Sequence, residues 1–475
     1  MIKHEFKAHP IMILRLMKPY LVVLILPLVR ALVQYLTSGQ VDGLLRLEIL
    51  AFALVLTVAV VGWRSISVDI GDNHLTVKRG IFIKQCAKIE ISHISSVAVK
   101  RRPIDYLFGS VQCDINTEAG TPKKSDFSFK MYRGDAKRLF KLIYGEENQA
   151  VIKFSAYKIA LLAATTSSSA TGIVVGVPII NQASELLGIA ISDILFDEIN
   201  NISSRFTTLF PPIVNVISLI LLTAYIVSFF ISFFKNVNFK LQSGKNDIDI
   251  QSGLIIRKRI VFKKSQINNI CLEQNPLMRL FKRFSMRASI GGYGDIRGEK
   301  AVVVPVASHK SLCEQLKFHF SSFLPNGEYI RPVQSRKSLR RFFFVPTTVF
   351  ISVLSVGITL SMVFEHFSAL ILFLTVMAAA VAVYYASVCY RDYRHSKLSL
   401  GERVMASGST GFIIRELYCN KNNIGIIKIT QTPADKKHDT CKVKLTVRSE
   451  NADSVRVKNL DLSTIEQKIK ETFNI

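Results

Sequence analysis

Side chains that could act as nucleophiles or metal ligands are scattered through this sequence. The seven cysteines include no CxxC pair, and the nine histidines include no HExxH motif. His74 and His93 could lie near each other across strands, but a surface or capping role explains them better than zinc. We therefore expect the cysteines to stay reduced and to serve mainly as small buried hydrophobic residues.

Two glycine-rich segments resemble catalytic loops only superficially. The stretch IGGYGDIRG at Ile290–Gly298 is not followed by Lys-Ser/Thr and opens no dinucleotide-binding helix, so it indicates a hairpin loop. GSTG at Gly408–Gly411 lacks the GxSxG spacing of a nucleophile elbow. We find no catalytic constellation, and we expect a protein that is not an enzyme and needs no cofactor or metal.

Basic clusters are the remaining chemical signal. Each Lys or Arg near an anionic leaflet contributes about 1 kcal/mol of binding free energy. The alternative is that these residues only set membrane topology and solvate strand faces. Nucleic acid is disfavoured because no aromatic stacking platform is interleaved with the charges. The possible contacts to anionic lipid are Lys100, Arg101, Arg102, Arg257, Arg259, Lys263, Arg340 and Arg341.

Apolar runs of membrane-spanning length alternate with these basic stretches. The 475-residue chain is 49% hydrophobic and yet has a formal charge of +26. A helix needs about 20 mostly apolar residues to cross a bilayer core. Six windows meet or approach that length, and they predict three transmembrane hairpins. The windows are Tyr20–Leu36, Leu47–Trp63, Ile159–Ile180, Pro212–Phe234, Phe342–Phe364 and Leu370–Val388.

The charges beside the windows predict the orientation. Residues 181–211 hold one basic residue against four acidic ones, whereas residues 235–341 hold 21 basic against seven acidic. Because cytoplasmic loops carry the excess of Lys and Arg, the acidic segment 181–211 is predicted to be external. Both termini and all three large domains are then cytoplasmic.

One sequence unit recurs after each pair of windows. Gly80 aligns with Gly253 without a gap and with Gly411 after one deletion, and a proline follows at an equivalent position. A glycine between apolar runs supplies the positive φ of a hairpin turn. Each unit ends in an amphipathic helical pattern. These helical patterns cover Arg133–Tyr144, Ser308–Phe320 and Leu462–Phe473.

The repeat and the windows together predict six segments. Three are hairpins, at 1–63, 151–234 (with the external loop 181–211) and 331–388. Three are strand-rich domains, at 64–150, 235–330 and 389–475.

At the repeated residues the chain resembles the bacterial pleckstrin-homology-like membrane proteins of the YdbT-like family. The resemblance rests on Gly80–Phe82, on ISHISSV at Ile91–Val97 and on YLFGSVQCDI at Tyr106–Ile115. It implies three PH-like split β-barrels of about seven strands, each capped by a C-terminal helix, in a bacterial inner-membrane protein without established enzymatic activity. Two departures stand out: Lys282 replaces Gly109 in the second copy, and the third copy lacks the Leu-Phe-Gly element.

Two functions from different classes remain open at this point. The first is a membrane scaffold or regulatory protein that presents PH-like domains for binding a protein, a second copy of itself or anionic headgroups. The second is a transporter or channel component built from the six helices. Intramembrane charge, the usual mark of transport, is limited to Arg30, with Arg46 just outside and Glu48 at the edge of the second window, which favours the scaffold.

Overall fold

The computed structural model describes most of the chain in two compact units. Unit 1 comprises residues 1–151, 242–266 and 291–299, and unit 2 comprises residues 152–241, 267–290 and 300–475. Within them the described residues are 4–20, 44–71, 73–81, 83–117, 125–145, 150–168, 193–195, 197–198, 201, 212–291, 300–334, 336–448 and 453–473.

A four-stranded antiparallel sheet opens unit 1. Its order is β1-β2-β3-β4, and β1 and β2 lie on either side of the first apolar region in the sequence. A helical stretch at residues 12–20 and helix α1 (Leu44–Arg64) belong to that apolar region. The strands are β1 (His4–Lys7), β2 (Ser67–Ile70), β3 (His74–Arg79) and β4 (Gln85–Glu90).

A seven-stranded sheet follows, and it joins strands from the first two sequence copies. The first copy supplies β5 (Ile94–Arg101), β6 (Ser110–Thr117) and β7 (Phe127–Tyr132). The second supplies β8 (Ala150–Lys153), β9 (Lys240–Ser243), β10 (Asp247–Ser252) and β11 (Arg257–Lys263). The order is β7-β6-β5-β11-β10-β9-β8, so the antiparallel pair β5–β11 is the junction between copies.

Two helices complete the first copy. The short helix α2 (Pro103–Leu107) joins β5 to β6, and α3 (Arg133–Tyr144) follows β7. The apolar face of α3 buries Leu139, Phe140 and Ile143, as expected for an amphipathic helix. The core includes Val261 from β11, and the Tyr144 hydroxyl donates a 3.0 Å hydrogen bond to the Val261 carbonyl. The first copy therefore buries part of the second copy's strand.

Unit 2 contains a second seven-stranded sheet that joins strands from two sequence copies. Its seven-stranded sheet has the order β14-β13-β12-β18-β17-β16-β15, and a three-stranded sheet has the order β19-β20-β21. The strands are β12 (Ile267–Gln274), β13 (Phe284–Ile290), β14 (Ala301–Ala307), β15 (Tyr329–Ile330), β16 (Lys397–Ser399), β17 (Arg403–Thr410), β18 (Ile413–Asn420), β19 (Ile424–Thr430), β20 (Thr440–Val447) and β21 (Ser454–Asp461).

The helices of unit 2 include the remaining predicted C-terminal helices. In the second and third copies these are α7 (His309–His319) and α11 (Leu462–Phe473), whose ends lie within one residue of the predicted bounds. The helices are α4 (Ala156–Thr166), α5 (Pro212–Asn236), α6 (Pro276–Leu280), α7 (His309–His319), α8 (Arg336–Val363), α9 (Ser368–His395), α10 (Pro433–Lys436) and α11 (Leu462–Phe473).

The backbone conformation repeats as well. Gly80, Gly253 and Gly411 have φ values of 112°, 101° and 63°, the positive range that a hairpin turn requires. A second left-handed position lies six residues after each repeated proline. Its occupants are Gly109 (φ 67°), Lys282 (φ 52°) and Asp439 (φ 50°). The third copy thus keeps the turn although it lacks the Leu-Phe-Gly sequence.

Three described helices are long and apolar enough to cross a membrane. They are Val216–Asn236, Phe342–Val363 and Glu365–His395, and they correspond to the fourth, fifth and sixth predicted windows. A shorter apolar helix at Leu50–Arg64 overlaps the second window. The first window beyond Tyr20, most of the third, Arg30 and most of the segment 181–211 lie outside the described residues.

Candidate membrane-surface site

The junction of β5 and β11 brings the first two predicted basic clusters together. In this antiparallel pair Arg101 lies opposite Arg257, and Lys100 lies opposite Lys258. Like charges directly opposite each other destabilise a sheet. The fold therefore concentrates four cations at one end of the junction against the electrostatic preference of the two strands.

Tyr106 holds the two arginines on one face. The Cζ atoms of Arg101 and Arg257 lie 3.9 Å and 5.9 Å from the centroid of its ring. Stacking on an aromatic face offsets part of the repulsion between the guanidinium groups. Arg101 Nε and the Tyr106 hydroxyl are buried and have no hydrogen-bond partner in the described part of the chain. The exposed guanidinium group of Arg257 is the part of this arrangement that is suited to an anionic oxygen.

Exposed apolar side chains surround this pair of arginines in sequence. On α2 and the turn after it, Ile104, Leu107 and Phe108 are exposed, and Leu107 retains 83% of its accessible surface. On the turn between β10 and β11, the whole stretch Leu254–Ile256 is exposed. Apolar tips beside arginines form the amphipathic pattern of a membrane-surface contact. We refer to Ile104, Leu107, Phe108 and Leu254–Ile256 as the apolar tips.

Three other predicted lipid-contact residues make interactions inside the unit. Lys100 Nζ lies 3.1 Å from an Asp114 carboxylate oxygen, and Arg259 Nη2 lies 2.8 Å from an Asp249 oxygen. Lys263 donates a 2.8 Å hydrogen bond to the Ile91 carbonyl. These contacts stabilise the sheet and are independent of a membrane.

The remaining predicted residues lie in two places. Arg102 is exposed and directly precedes α2, beside Arg101. Arg340 is exposed near the start of α8, before the apolar stretch of that helix. The side chain of Arg341 lies outside the described residues, although its backbone belongs to α8. Arg101 and Arg257 are therefore the predicted residues that the fold brings together over one ring, and Arg102 adjoins Arg101 in sequence.

The equivalent junction in unit 2, between β12 and β18, has compensated charges. Glu273 lies opposite Arg415, and its carboxylate is 3.2 Å from Arg415 Nε, 3.3 Å from Arg287 Nε and 3.2 Å from Lys300 Nζ. Burial alone would raise the pKa of Glu273, but these cations keep it below its ordinary value. At the position of the Lys100–Lys258 pair, the junction of unit 2 therefore has opposite charges.

Contacts in the first and third copies place two hairpin turns beside apolar helices. In unit 1, a Cβ atom at Gly62 of α1 would lie 3.4 Å from Ile81 Cδ1, one residue after Gly80. In unit 2, the Phe412 ring, one residue after Gly411, lies 6.0 Å from the Tyr384 ring and 5.8 Å from the Tyr385 ring of α9. Tyrosines near the end of an apolar helix mark the membrane–water interface.

The Leu-Phe segment of the second copy also reaches this end of α9. Arg279 Nη1 and Nη2 donate 3.0 Å hydrogen bonds to the hydroxyl and carbonyl of Ser387. Leu280, the next residue, is exposed. The turns equivalent to the apolar tips therefore lie, in unit 2, at the end of an apolar helix that is long enough to cross a membrane.

Sequence reasoning identified the arginines and missed the apolar tips. The sequence pattern identifies Tyr106 and Leu107 as part of a fold motif and assigns no role to Leu254–Ile256. The available signal was three consecutive large aliphatic residues directly after that glycine, where a soluble hairpin usually has polar residues.

The profile of the family described as "Bacterial PH domain" matches residues 19–147 and 186–317. These two matches cover more than half of the chain. The chain belongs to the bacterial PH domain family. Each match to a bacterial PH domain includes one predicted hairpin, in whole or in part, and the strands that follow it.

A curated relative supports the assignment to a membrane protein. The chain is 20% identical over 323 residues to the UPF0699 transmembrane protein YdbT of Bacillus subtilis (strain 168). The aligned region covers 62% of this chain and 63% of that relative, so the chain spans less than two thirds of its length. No solved structure matches the chain. This bacterial PH domain protein is therefore a membrane protein with apolar helices and several β-sheets.

Proposed function

We propose that this protein is a non-enzymatic membrane scaffold whose PH-like domains contact anionic headgroups at the cytoplasmic surface of the membrane. The contact is the site formed by Arg101, Arg102, Arg257, Tyr106 and the apolar tips. The apolar tips enter the interfacial region, and the arginines bind phosphate oxygens.

The observation that carries the proposal is the cross-strand pair of Arg101 and Arg257. Neither guanidinium group has an acidic partner within the described residues, and both lie over the ring of Tyr106. An anionic headgroup would relieve the repulsion between them, and the adjacent apolar tips would gain a nonaqueous environment. Salt should weaken the electrostatic part, because screening acts over about 10 Å at 0.1 M ionic strength.

The proposal includes six membrane spans in three hairpins, with both termini and the three domains in the cytoplasm. It is supported by the charge asymmetry between residues 181–211 and 235–341 and by the transmembrane relative. Single-cysteine labelling on intact cells with an impermeant reagent tests it. We expect labelling at Ser203→Cys and protection at Asn246→Cys, and the opposite pattern would contradict the orientation.

A fluorescent label on an apolar tip tests the membrane contact. The experiment uses the full chain in proteoliposomes, because β11 and β12 of the second copy pair with strands of the first and third copies. With Cys86→Ser as background, Ile255→Cys is labelled with an environment-sensitive dye. We expect lipid-borne nitroxides to quench this label, more strongly with phosphatidylglycerol than with phosphatidylcholine alone.

The matched control is Asn246→Cys, an exposed position at the opposite end of β10. Six residues of strand place it about 20 Å from the apolar tip, so its label should stay unquenched. Arg101→Gln with Arg257→Gln should remove the preference for phosphatidylglycerol, whereas Lys137→Gln with Arg138→Gln, an equal charge change on exposed α3 residues, should keep it. Equal quenching at Ile255 and Asn246, or none at Ile255, would refute the proposal.

A further inference from the structure

The two junctions between copies follow one register. The equivalent strands β5, β12 and β19 begin with Ile94, Ile267 and Ile424. In each junction, the residue three positions after one of these isoleucines pairs with the residue six positions before the isoleucine of the next copy. In unit 1 this pair is Val97 with Val261, and in unit 2 it is Ile270 with Tyr418. Strands from neighbouring copies therefore pair at equivalent residues in both junctions.

The first and the third copies each contain one described strand, equivalent to a junction strand, that is paired on its inner edge only. β4 is the first copy's equivalent of β11 and β18, and it is the last strand of its four-stranded sheet. β19 is the third copy's equivalent of β5 and β12, and it is the first strand of its three-stranded sheet. Among the described strands, neither has a hydrogen-bonded neighbour on its outer edge.

The exposed edge of β19 is apolar where the internal junctions are buried. Ile426 retains 61% of its accessible surface, whereas the equivalent residues Ser96 and Asn269 retain 0%. The strand reads Ile-Gly-Ile-Ile-Lys-Ile-Thr, with Lys428 as its one charged residue. Natural proteins usually protect an edge strand of this kind by charge, by proline or by a covering partner.

We propose that β19 of one chain pairs in antiparallel fashion with β4 of a second copy of this chain. The occupant is argued from continuity with the two junctions that the chain already forms. Their register, applied to the third copy, places Ile427 opposite Lys88, Lys428 opposite Ala87 and Ile429 opposite Cys86. No like charges face each other in this arrangement, and the long Lys88 side chain extends past Ile427 to solvent.

Such a contact is head-to-tail, because it joins two different surfaces of the chain. Repetition of it produces a ring where the rotation closes and an open filament where it does not. A membrane array of PH-like domains would then continue from one chain to the next through the same junction that links the copies inside a chain.

Disulfide cross-linking between two differently tagged chains tests the register. Cys86 is an exposed free thiol, and opposed residues on antiparallel strands have Cα separations that a disulfide can bridge. One chain keeps Cys86, and the other carries Cys86→Ser with Ile429→Cys. We expect mild oxidation of membranes holding both chains to yield a covalent pair that contains both tags.

The matched control replaces Ile429→Cys by Lys428→Cys, one residue away and on the other face of β19, and the covalent pair should be lost. Because Ile429 is partly buried, a second combination protects the test from misfolding: Ala87→Cys in one chain and Lys428→Cys in the other, both with Cys86→Ser, should also link. The proposal would be overturned if neither combination yields a mixed pair or if the mismatched control links equally well. It would also be overturned if a single chain carrying Cys86 and Ile429→Cys forms the bond only within itself.

Discussion

Arg101 and Arg257 lie directly opposite each other on β5 and β11, and both guanidinium groups lie over the ring of Tyr106. The equivalent pair in unit 2 is Gln274 with Ile414, which has no charge at all. The repeat can therefore build this position without cations. The two arginines are a specific feature of the first junction and are not a requirement of the fold.

Removal of this charge pair should not destabilise the protein. We expect Arg101→Gln with Arg257→Gln to leave the apparent melting temperature in neutral detergent unchanged or raised, because two opposed like charges are lost. Arg259→Gln is the contrasting variant, since it leaves the buried Asp249 without its ion pair. Thermal unfolding of the purified chain measures both, and a lower melting temperature for the double variant would show that the arginines stabilise the sheet.

The buried carboxylate of the second junction should behave in the opposite way. Glu273→Gln leaves Arg287 and Arg415 with an uncharged partner in a buried place, whereas Lys300 keeps its 2.6 Å contact with Asp453; breaking such a network costs about 3 kcal/mol or more. For a unit of this size that corresponds to a loss of about 6 °C in melting temperature. An unchanged melting temperature would mean that Arg287 and Arg415 find other partners.

Local sequence patterns predicted the repeated elements well. The turns at Gly80, Gly253 and Gly411 and the helix at Arg133–Tyr144 depend on residues close together in the chain. Backbone conformation and helix periodicity are determined over such short distances. Each pattern also appears in more than one copy, which separates it from chance.

Partner choice between strands could not be predicted in the same way. Alternation along β5 indicates which side chains share a face, but it does not indicate that β11 of the next copy is the neighbour. The pairing of Arg101 with Arg257 runs against charge complementarity and has no local signal. The candidate site arises from this long-range pairing, so the sequence yielded its arginines without their arrangement.

Short strands before the apolar windows were missed for a different reason. β1, with four residues, and β15, with two, have too little pattern for recognition from sequence. They form because β2 and β16 offer antiparallel partners. Tertiary pairing, and not local propensity, determines these elements.

The turn glycines should differ in their tolerance of a methyl group. A Cβ atom at Gly80 or Gly253 would lie 2.0 Å from the carbonyl oxygen of Ile83 or Ile256, whereas a Cβ at Gly411 has no atom within 4 Å. We expect Gly80→Ala and Gly253→Ala to cost about 1–3 kcal/mol and Gly411→Ala about 1 kcal/mol or less. Limited proteolysis and thermal unfolding of the three variants measure this, and equal losses would contradict the assigned turns.

The left-handed residue at Lys282 offers a stabilising substitution. Its φ of 52° is costly for a side chain, and the equivalent residue in the first copy is Gly109. We expect Lys282→Gly to raise the stability of the second copy by up to about 1 kcal/mol, because glycine adopts this region without strain. Lys310→Gly, within helix α7, is the control and should lower the melting temperature.

His309 should make stability fall as the pH rises from neutral to alkaline values. Hydrogen bonds with Cys313 and with Glu416, whose Oε2 lies 3.0 Å from His309 Nε2, raise the pKa of His309 to about 10. A folded-state pKa above the ordinary 6.5 means that the stabilisation is complete below pH 6.5 and is lost as the pH passes about 10.

Melting temperatures of the wild type and His309→Gln between pH 6 and pH 10 test this assignment. We expect the difference between the two proteins to be largest at the acidic end and to shrink towards pH 10, because partly exposed His309 then no longer carries the charge that pairs with Glu416. A difference that stays constant across this range would show that His309 contributes through packing against Phe284, whose ring lies 5.1 Å away, and not through its charge.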